Sequence, residues 1–544
     1  MKSKRQVQSK SAALHWADRE FQSLLRQGRR ADALALIAKH LERIGYKHFQ
    51  GCLIAGALCM ELERFSEASG YFARSLQINS ESDVALANLG AALYREGKID
   101  QAKIMLEYAL ELDPKNLFAR LNLGGVLQAL GKRQENLSNA LEAVSIDPTS
   151  SLAFNNLGTA LTDLEMRSEA LHAFQTARIL DPKSVDVLIN LGMAEAHREN
   201  FSGAIECYDQ ALELVPLEQP DRRNAIRFFR SFLFLQRGQL LDGWEGYEGG
   251  FSPLVPITGR RAPARNFPVP RWSGDAQPGK TLLVWREQGL GDEIMFGTCL
   301  IDLLASGMNI IFECEHRMVP VWARTYPEFI VRNAIHLQDG SPLLVDYDLE
   351  IPLGSLPRLF RGKIEAFEAS PRRHLVPDPV LVSEMRDWLK AVTGERTPVG
   401  ICWRSGMIDP NRAKEYSHLI DWSGLLSNKD LAIVNLQYGE CEAELLESEQ
   451  QYGIAILRPP LDLKNDLERL AALMSCLDVV FSAHTAVLQM AGHLGVRTVS
   501  IDPEERRGWP YLGVSHYPWY AGCQARLLKR NLGCREQFLK LVSG

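Results

Sequence analysis

From Phe49 onward the chain repeats itself with a period of about 34 residues, the length of a helix-turn-helix pair. Leu89-Gly90, Leu123-Gly124, Leu157-Gly158 and Leu191-Gly192 fall in one register. Further along each unit come Ala102, Asn136, Ala170 and Ala204, then Ala109, Ala143, Ala177 and Ala211, and last Pro114, Pro148, Pro182 and Pro216. Small residues let the two helices of a unit approach closely, and the proline ends the second helix because it cannot continue it. Asn136 departs from the small-residue pattern and marks its unit as looser. A weaker unit starts at Phe49 (Gly56, Ala68, Phe72). Degenerate ones precede it (Gly28, Ala33) and follow it (Gly238, Trp244, Tyr247), as expected of the ends of a stack.

These are the marker positions of tetratricopeptide repeats, so an all-α solenoid is expected over residues 1–248. The residue before each Leu-Gly pair is asparagine: Asn88, Asn122, Asn156 and Asn190. Carboxamides repeating with the solenoid would form a ladder along its concave face, each able to donate to and accept from the backbone of an extended protein acceptor. Asparagine is also common at this place in such repeats whatever they bind. The arrangement resembles the asparagine ladder of the O-GlcNAc transferases, which hold protein substrates that way.

The periodicity stops at residue 249. Prolines cluster up to residue 279 (Pro253, Pro256, Pro263, Pro268, Pro270, Pro278), which predicts a linker over 249–279 with Arg260, Arg261 and Arg265 in solvent. Strand-like and helix-like segments alternate beyond it. Thr281–Arg286, Asn309–Glu315 and Tyr347–Ile351 are expected strands of a first lobe, 280–376. Pro398–Arg404, Ala432–Gln437, Ile454–Leu457, Asp478–Ser482 and Thr498–Ile501 are expected in a second, 377–544. That alternation predicts two parallel α/β sheets with a cleft at their carboxyl edges.

The run TLLVWREQGLGDEIMF (Thr281–Phe296) opens the first lobe as strand, glycine loop and helix start, which is how open α/β sheets place polar groups at a ligand edge. Gly289 and Gly291 would let the backbone pass close to a ligand, and Asp292 sits where a carboxylate can serve as a base. Asp292 can equally cap the helix that follows. Glu287 is a second carboxylate on the loop. A dinucleotide fingerprint would need glycine where Ile294 stands.

Composition narrows the class. With 544 residues, 46% hydrophobic and 24% charged, the chain has the make-up of a soluble protein of two or three domains. A formal charge of -6 gives no reason to expect nucleic acid or an anionic membrane as partner. The basic start MKSKRQVQSKSAALHW lacks the apolar core of a signal peptide, and no stretch is apolar for long enough to span a bilayer, so a cytoplasmic location is expected. Ten cysteines without a C-x-x-C pair suit reduced, buried thiols.

The runs EQGLGDEIMF, DLEIPLGSLPRLF (Asp348–Phe360), GICWRSG (Gly400–Gly406), NLQYG (Asn435–Gly439) and LDVVFSAHTAVLQMAGHLGV (Leu477–Val496) together resemble tetratricopeptide glycosyltransferases related to the heptosyltransferases. The resemblance covers the catalytic half. It implies a GT-B fold of two Rossmann-like lobes and metal-independent transfer of a sugar from a nucleotide donor. It also implies a link to bacterial protein glycosylation, flagellin included. Asp292 matches the family's catalytic aspartate. The leaving phosphate calls for positive charge, for which Arg404, Arg412 and Lys414 in WRSGMIDPNRAK are candidates. Ser482-Ala483-His484-Thr485 ends a strand and opens a helix, where backbone N–H groups bind phosphate. Gln437, at another strand end, is a candidate contact to base or ribose.

The chain departs from the family at His484, where heptosyltransferases carry aspartate, and at Gln489, where they carry histidine. His-Thr at 484–485 instead resembles the phosphate-binding loop of the O-GlcNAc transferases. Asp346-Tyr347-Asp348 spells a manganese motif of another transferase class, but it leads into a strand-like run without further ligands, so no metal is expected. Trp509, Tyr511, Trp519 and Tyr520 suit core packing as well as sugar or base stacking. The expected function is transfer of a sugar to a serine or threonine hydroxyl of a protein. The alternatives are a repeat scaffold with a degenerate transferase domain, and a transferase acting on a saccharide or lipid-linked glycan.

Overall fold

A computed structural model describes residues 20–256, 259–262, 265–334, 336–337, 339–370, 372–406, 416–502, 508–520 and 523–527. The chain divides into two compact units, Met1–Leu214 and Val215–Gly544.

The first unit is a run of helix pairs at the predicted period, among them Asp83–Arg95 with Ile99–Leu112, Leu117–Ala129 with Arg133–Ile146, and Ser151–Asp163 with Arg167–Leu180. The marker glycines sit where helices nearly touch. A Cβ on Gly56 would lie 2.5 Å from the Phe72 ring, one on Gly90 2.5 Å from Leu106, one on Gly158 2.5 Å from Phe174, and one on Gly192 3.1 Å from Tyr208. Each of these glycines thus receives the large residue sixteen places further on. Gly124 does not. Its counterpart is Ala140, and the atoms nearest a Cβ there belong to Asn156, Asn136 and Asn139.

The helices Pro220–Gln236 and Leu240–Tyr247, expected as a degenerate last repeat within 1–248, belong instead to the second unit. The cause is aromatic burial. Trp244 and Tyr247 are each 1% exposed and pack edge-on to Phe296, while Trp244 Nε1 donates to the Arg361 carbonyl. The expected linker 249–279 is likewise not a solvated spacer. Arg261 is fully buried and ion-paired with Glu287 and Glu248, Arg265 pairs with Glu313, and Trp272 is 1% exposed.

Beyond it lie two all-parallel sheets. The first contains β1 (Thr281–Trp285), β2 (Asn309–Cys314), β3 (Ile330–Asn333) and β4 (Leu349–Pro352) in the spatial order β3-β2-β1-β4. The second contains β5 (Thr397–Cys402), β6 (Leu431–Asn435), β7 (Val479–Ser482), β8 (Arg497–Asp502) and β9 (Cys523–Leu527) in the order β6-β5-β7-β8-β9. Most strands are buried apolar runs, as parallel sheets covered on both faces require. β3 and β9 are unforeseen, because β3 is a short, partly exposed edge strand and β9 is interrupted by polar residues. Ile454–Leu457 forms no strand; only Leu457 bridges to Val434. The nine described cysteines are free thiols, seven of them buried.

Candidate active site

Each sheet reverses its strand order once, next to β1 in the first (β1/β4) and next to β5 in the second (β5/β7). In open α/β sheets the loops leaving the strands at such a switch point open a crevice for a ligand. Here the loops from both sheets line one pocket of about 440 Å³. Gly289, Leu290, Gly291 and Asp292 come from the loop and helix start after β1, Ser405 from the loop after β5, and His484, Thr485 and Ala486 from the turn after β7.

Asp292 is half-buried in the first turn of the helix Leu290–Phe296, and its Oδ2 accepts the Gly289 N–H at 3.2 Å. Gly289, not Asp292, is therefore the N-cap; Asp292 closes the cap from the third helical position while lining the pocket. Neither Gly289 nor Gly291 adopts a left-handed conformation; the residue that does is Gln288, at φ 63°. A non-glycine residue there stores strain unless its surroundings enforce it. Ala262 accepts its N–H at 2.6 Å and Tyr247 donates its hydroxyl to Gln288 Oε1 at 2.8 Å, so the supposed linker and the helix before it fix this loop. At Gly291 a Cβ would stand 3.6 Å from the backbone of Ala486, ordinary contact, so packing does not require glycine there.

Glu287 does not line the pocket. It is 3% exposed, its Oε1 accepts from Arg261 at 2.5 and 2.9 Å and from the Gly354 N–H, and burial pushes its carboxyl up to about 7, with Arg261 opposing. A carboxyl poised near neutrality suits a base, but this one is enclosed with a guanidinium and lacks an opening onto the pocket. Its place corrects its expected role: Glu287 anchors Arg261.

On the second sheet, Arg404 and Gln437 also depart from expectation. The Arg404 guanidinium is taken by Glu444, with Nε 3.0 Å from Oε1 and the terminal nitrogen hydrogen-bonded to Glu444 and to the Glu440 carbonyl. Gln437 is 1% exposed; its Oε1 accepts the N–H groups of Trp403 and Arg404, and its Nε2 donates to the Tyr438 carbonyl. Both side chains brace the strand ends, and neither lines the pocket. Arg412 and Lys414 lie outside the described residues.

His484 and Thr485 are in the pocket wall. His484 packs edge-on to Tyr517, with centroids 5.3 Å apart. Thr485 occupies the N-cap of the helix Ala486–His493, with Oγ1 3.2 Å from Ser482 Oγ. At the far end of that helix His493, 3% exposed, sets Nδ1 3.1 Å from the Ile294 carbonyl, and burial lowers its pKa to about 4. That contact ties the helix after β7 to the helix after β1.

Sequence reasoning missed the cations that do line the pocket, Arg317 and Lys464. They stand outside any motif; Arg317 donates to Glu315 and to the Lys464 carbonyl. Gln489 lines the wall as well, its Nε2 donating to the Tyr517 hydroxyl at 2.9 Å. Of the aromatic residues, Tyr511, Trp519 and Tyr520 are core, while Trp509 stacks on Phe296 and reaches the pocket. Asp346 is held by Arg332, and Asp348 accepts the Thr281 N–H. Among the described residues no group of three or more His, Cys, Asp or Glu converges as a metal site, and no helix is long and apolar enough to cross a membrane.

In the first unit the four ladder asparagines are half-buried. Asn88 and Asn122 donate to carbonyls of their own helices (Val84 and Phe118, both 2.8 Å), Asn156 to the Leu121 carbonyl of the preceding unit, and Asn190 to Asn155 Oδ1. Only Asn156 and Asn190 thus tie one unit to the next.

Residues 84–116 and 155–218 match tetratricopeptide-repeat families, so the chain carries these repeats. Over 316 residues, 55% of this chain, it is 32% identical to Protein FlbA of Caulobacter vibrioides. The chain spans about half the length of that relative, 51%. Among solved structures, MamA 41-end from Desulfovibrio magneticus RS-1 is 23% identical and covers 29% of this chain and 90% of its own, with a TM-score of 0.26. The Cut9-Hcn1 assembly of the APC/C is 20% identical over 44% of this chain and 46% of its own, with a TM-score of 0.39.

Proposed function

We propose that the chain is a metal-independent GT-B glycosyltransferase that moves a sugar from a nucleotide-sugar to a serine or threonine hydroxyl of a protein bound by the repeats, flagellin being one such acceptor. The observation that carries this reading is the convergence of both switch-point loops on one pocket, with a carboxylate on one wall and a helix start on the other. In the proposed reaction Asp292 takes the acceptor hydroxyl proton as its oxygen bonds to the anomeric carbon, and the bond from that carbon to the donor phosphate breaks. The nucleotide leaves with the electron pair, its charge met by the N–H groups at Ala486 and by Arg317 and Lys464 rather than by Arg404. The repeats are a protein-interaction array, and protein is accordingly the acceptor class favoured over a saccharide or lipid-linked glycan.

A second reading, a repeat scaffold with a degenerate transferase unit, draws on the engagement of Arg404 by Glu444 and of Gln437 by backbone. Intact mass of proteins co-purifying with the wild type and with Asp292→Ala separates the two. Partners heavier by sugar increments only with the wild type support transfer, and the same partners unmodified in both favour the scaffold.

A further inference from the structure

The one unit that breaks the glycine-to-large-residue pairing also holds a polar pocket. Where the neighbouring units place Leu106 and Phe174 against Gly90 and Gly158, this unit has the small Ala140 and faces Gly124 with Asn156, Asn136 and Asn139, and where they place Ala102 and Ala170 it has Asn136. A pocket of about 500 Å³ opens there, bounded by Gly124, Asn136, Asn156, Phe174, Asn190 and Met193. Asn136 is only 2% exposed, and its Oδ1 has no hydrogen-bond partner among the described residues. An unpaired buried acceptor is destabilising. Nothing in the packing of a helix pair requires it, since alanine serves in the units on either side.

We propose that this pocket is a specificity subsite for a carboxamide side chain, glutamine or asparagine, on an extended polypeptide lying in the array. The inference rests on the reading that the repeats bind such a polypeptide. The Nδ2 groups of Asn156 and Asn190 are spent on Leu121 and Asn155, so these walls present acceptors, and the incoming group must donate to Asn136 Oδ1. A neutral donor suits the site better than a cation, because Asp163 at its edge already interacts with Arg133 and Gln128. Phe174 and Met193 supply apolar contact for the methylenes of a glutamine.

The test is selection of ten-residue random peptides on the immobilised full chain, wild type against Asn136→Ala/Ala140→Leu, which restores the pattern of the neighbouring units. The single variant Asn136→Ala serves should the double variant melt lower than the wild type. The expected result is a shared Gln or Asn at one position of the wild-type peptides, a preference the variant loses, with about tenfold weaker binding of those peptides. A shared basic or hydroxyl residue, no shared residue, or a carboxamide preference that survives the substitution overturns the subsite while leaving the array a peptide binder. Retention of no peptide by either form overturns the underlying reading as well.

Discussion

The repeat array and the α/β unit assemble their functional surfaces in opposite ways. In the array the marker-glycine contacts are local and periodic: Gly56, Gly90, Gly158 and Gly192 each meet the residue sixteen places on, so the functional suspect is the unit that breaks the rule. In the α/β unit the pocket joins the turn after β1 to the turn after β7, segments far apart in the chain, and its support comes from a third stretch, from Tyr247 and Ala262. A period announces its exceptions. A doubly wound sheet announces its loops, but leaves to tertiary packing which of their side chains reach the ligand.

The largest effect is expected at Arg261, in the segment that supports the loop after β1. Arg261→Met leaves Glu287 buried without its partner, and removing one member of a buried pair costs about 3–5 kcal/mol. Urea unfolding followed by tryptophan fluorescence reports it, because every described tryptophan lies in the second unit. A loss under about 1 kcal/mol would mean that the Arg261–Glu287 pair does not hold this segment to the loop after β1.

Next comes the tie between the helices after β1 and β7. His493 is buried neutral with its pKa lowered from 6.5 to about 4, so the unfolded chain binds its proton first as pH falls. The stability it contributes is complete above about pH 6.5 and is lost as pH drops toward 4, on the order of 3 kcal/mol in all. Urea midpoints across that range should slope more steeply for the wild type than for His493→Asn. Parallel slopes would remove His493 as the source.

The smallest effect lies in the array. Gly158→Ala drives a Cβ into the Phe174 ring and should cost about 1–3 kcal/mol. Gly124→Ala meets Asn156 only at 3.2 Å, and a helix-propensity gain of about 1 kcal/mol offsets that crowding, leaving the net change near zero. Melting followed by circular dichroism separates the two, and equal losses would show that the Gly124 unit is packed like its neighbours.

What the sequence revealed follows the same division. The helix pairs, their glycine contacts and the oddity of Asn136 were legible because a 34-residue period compares each unit with its neighbours. The two parallel sheets and the loop at Asp292 were legible from apolar runs ending in glycine turns. Arg261 was not, since a proline-rich stretch gives no sign that its arginine will meet a buried Glu287. Nor was the loss of Arg404 to Glu444, because charge alone does not say whether a guanidinium faces a ligand or a carboxylate of its own lobe. Arg317 and Lys464 escaped notice because they reach the pocket from segments that carry no motif.

The proposed transfer requires first that a nucleotide diphosphate bind in the pocket lined by the turns after β1 and β7, against the helix start at Ala486. Calorimetric titration of the full chain with a panel of nucleoside diphosphates, wild type against Gly291→Leu, tests it most directly. One member of the panel should bind the wild type, and the leucine, entering the pocket beside Ala486, should abolish that binding without lowering the melting temperature. Equal binding by both forms, or binding of no nucleotide by the wild type, would contradict it.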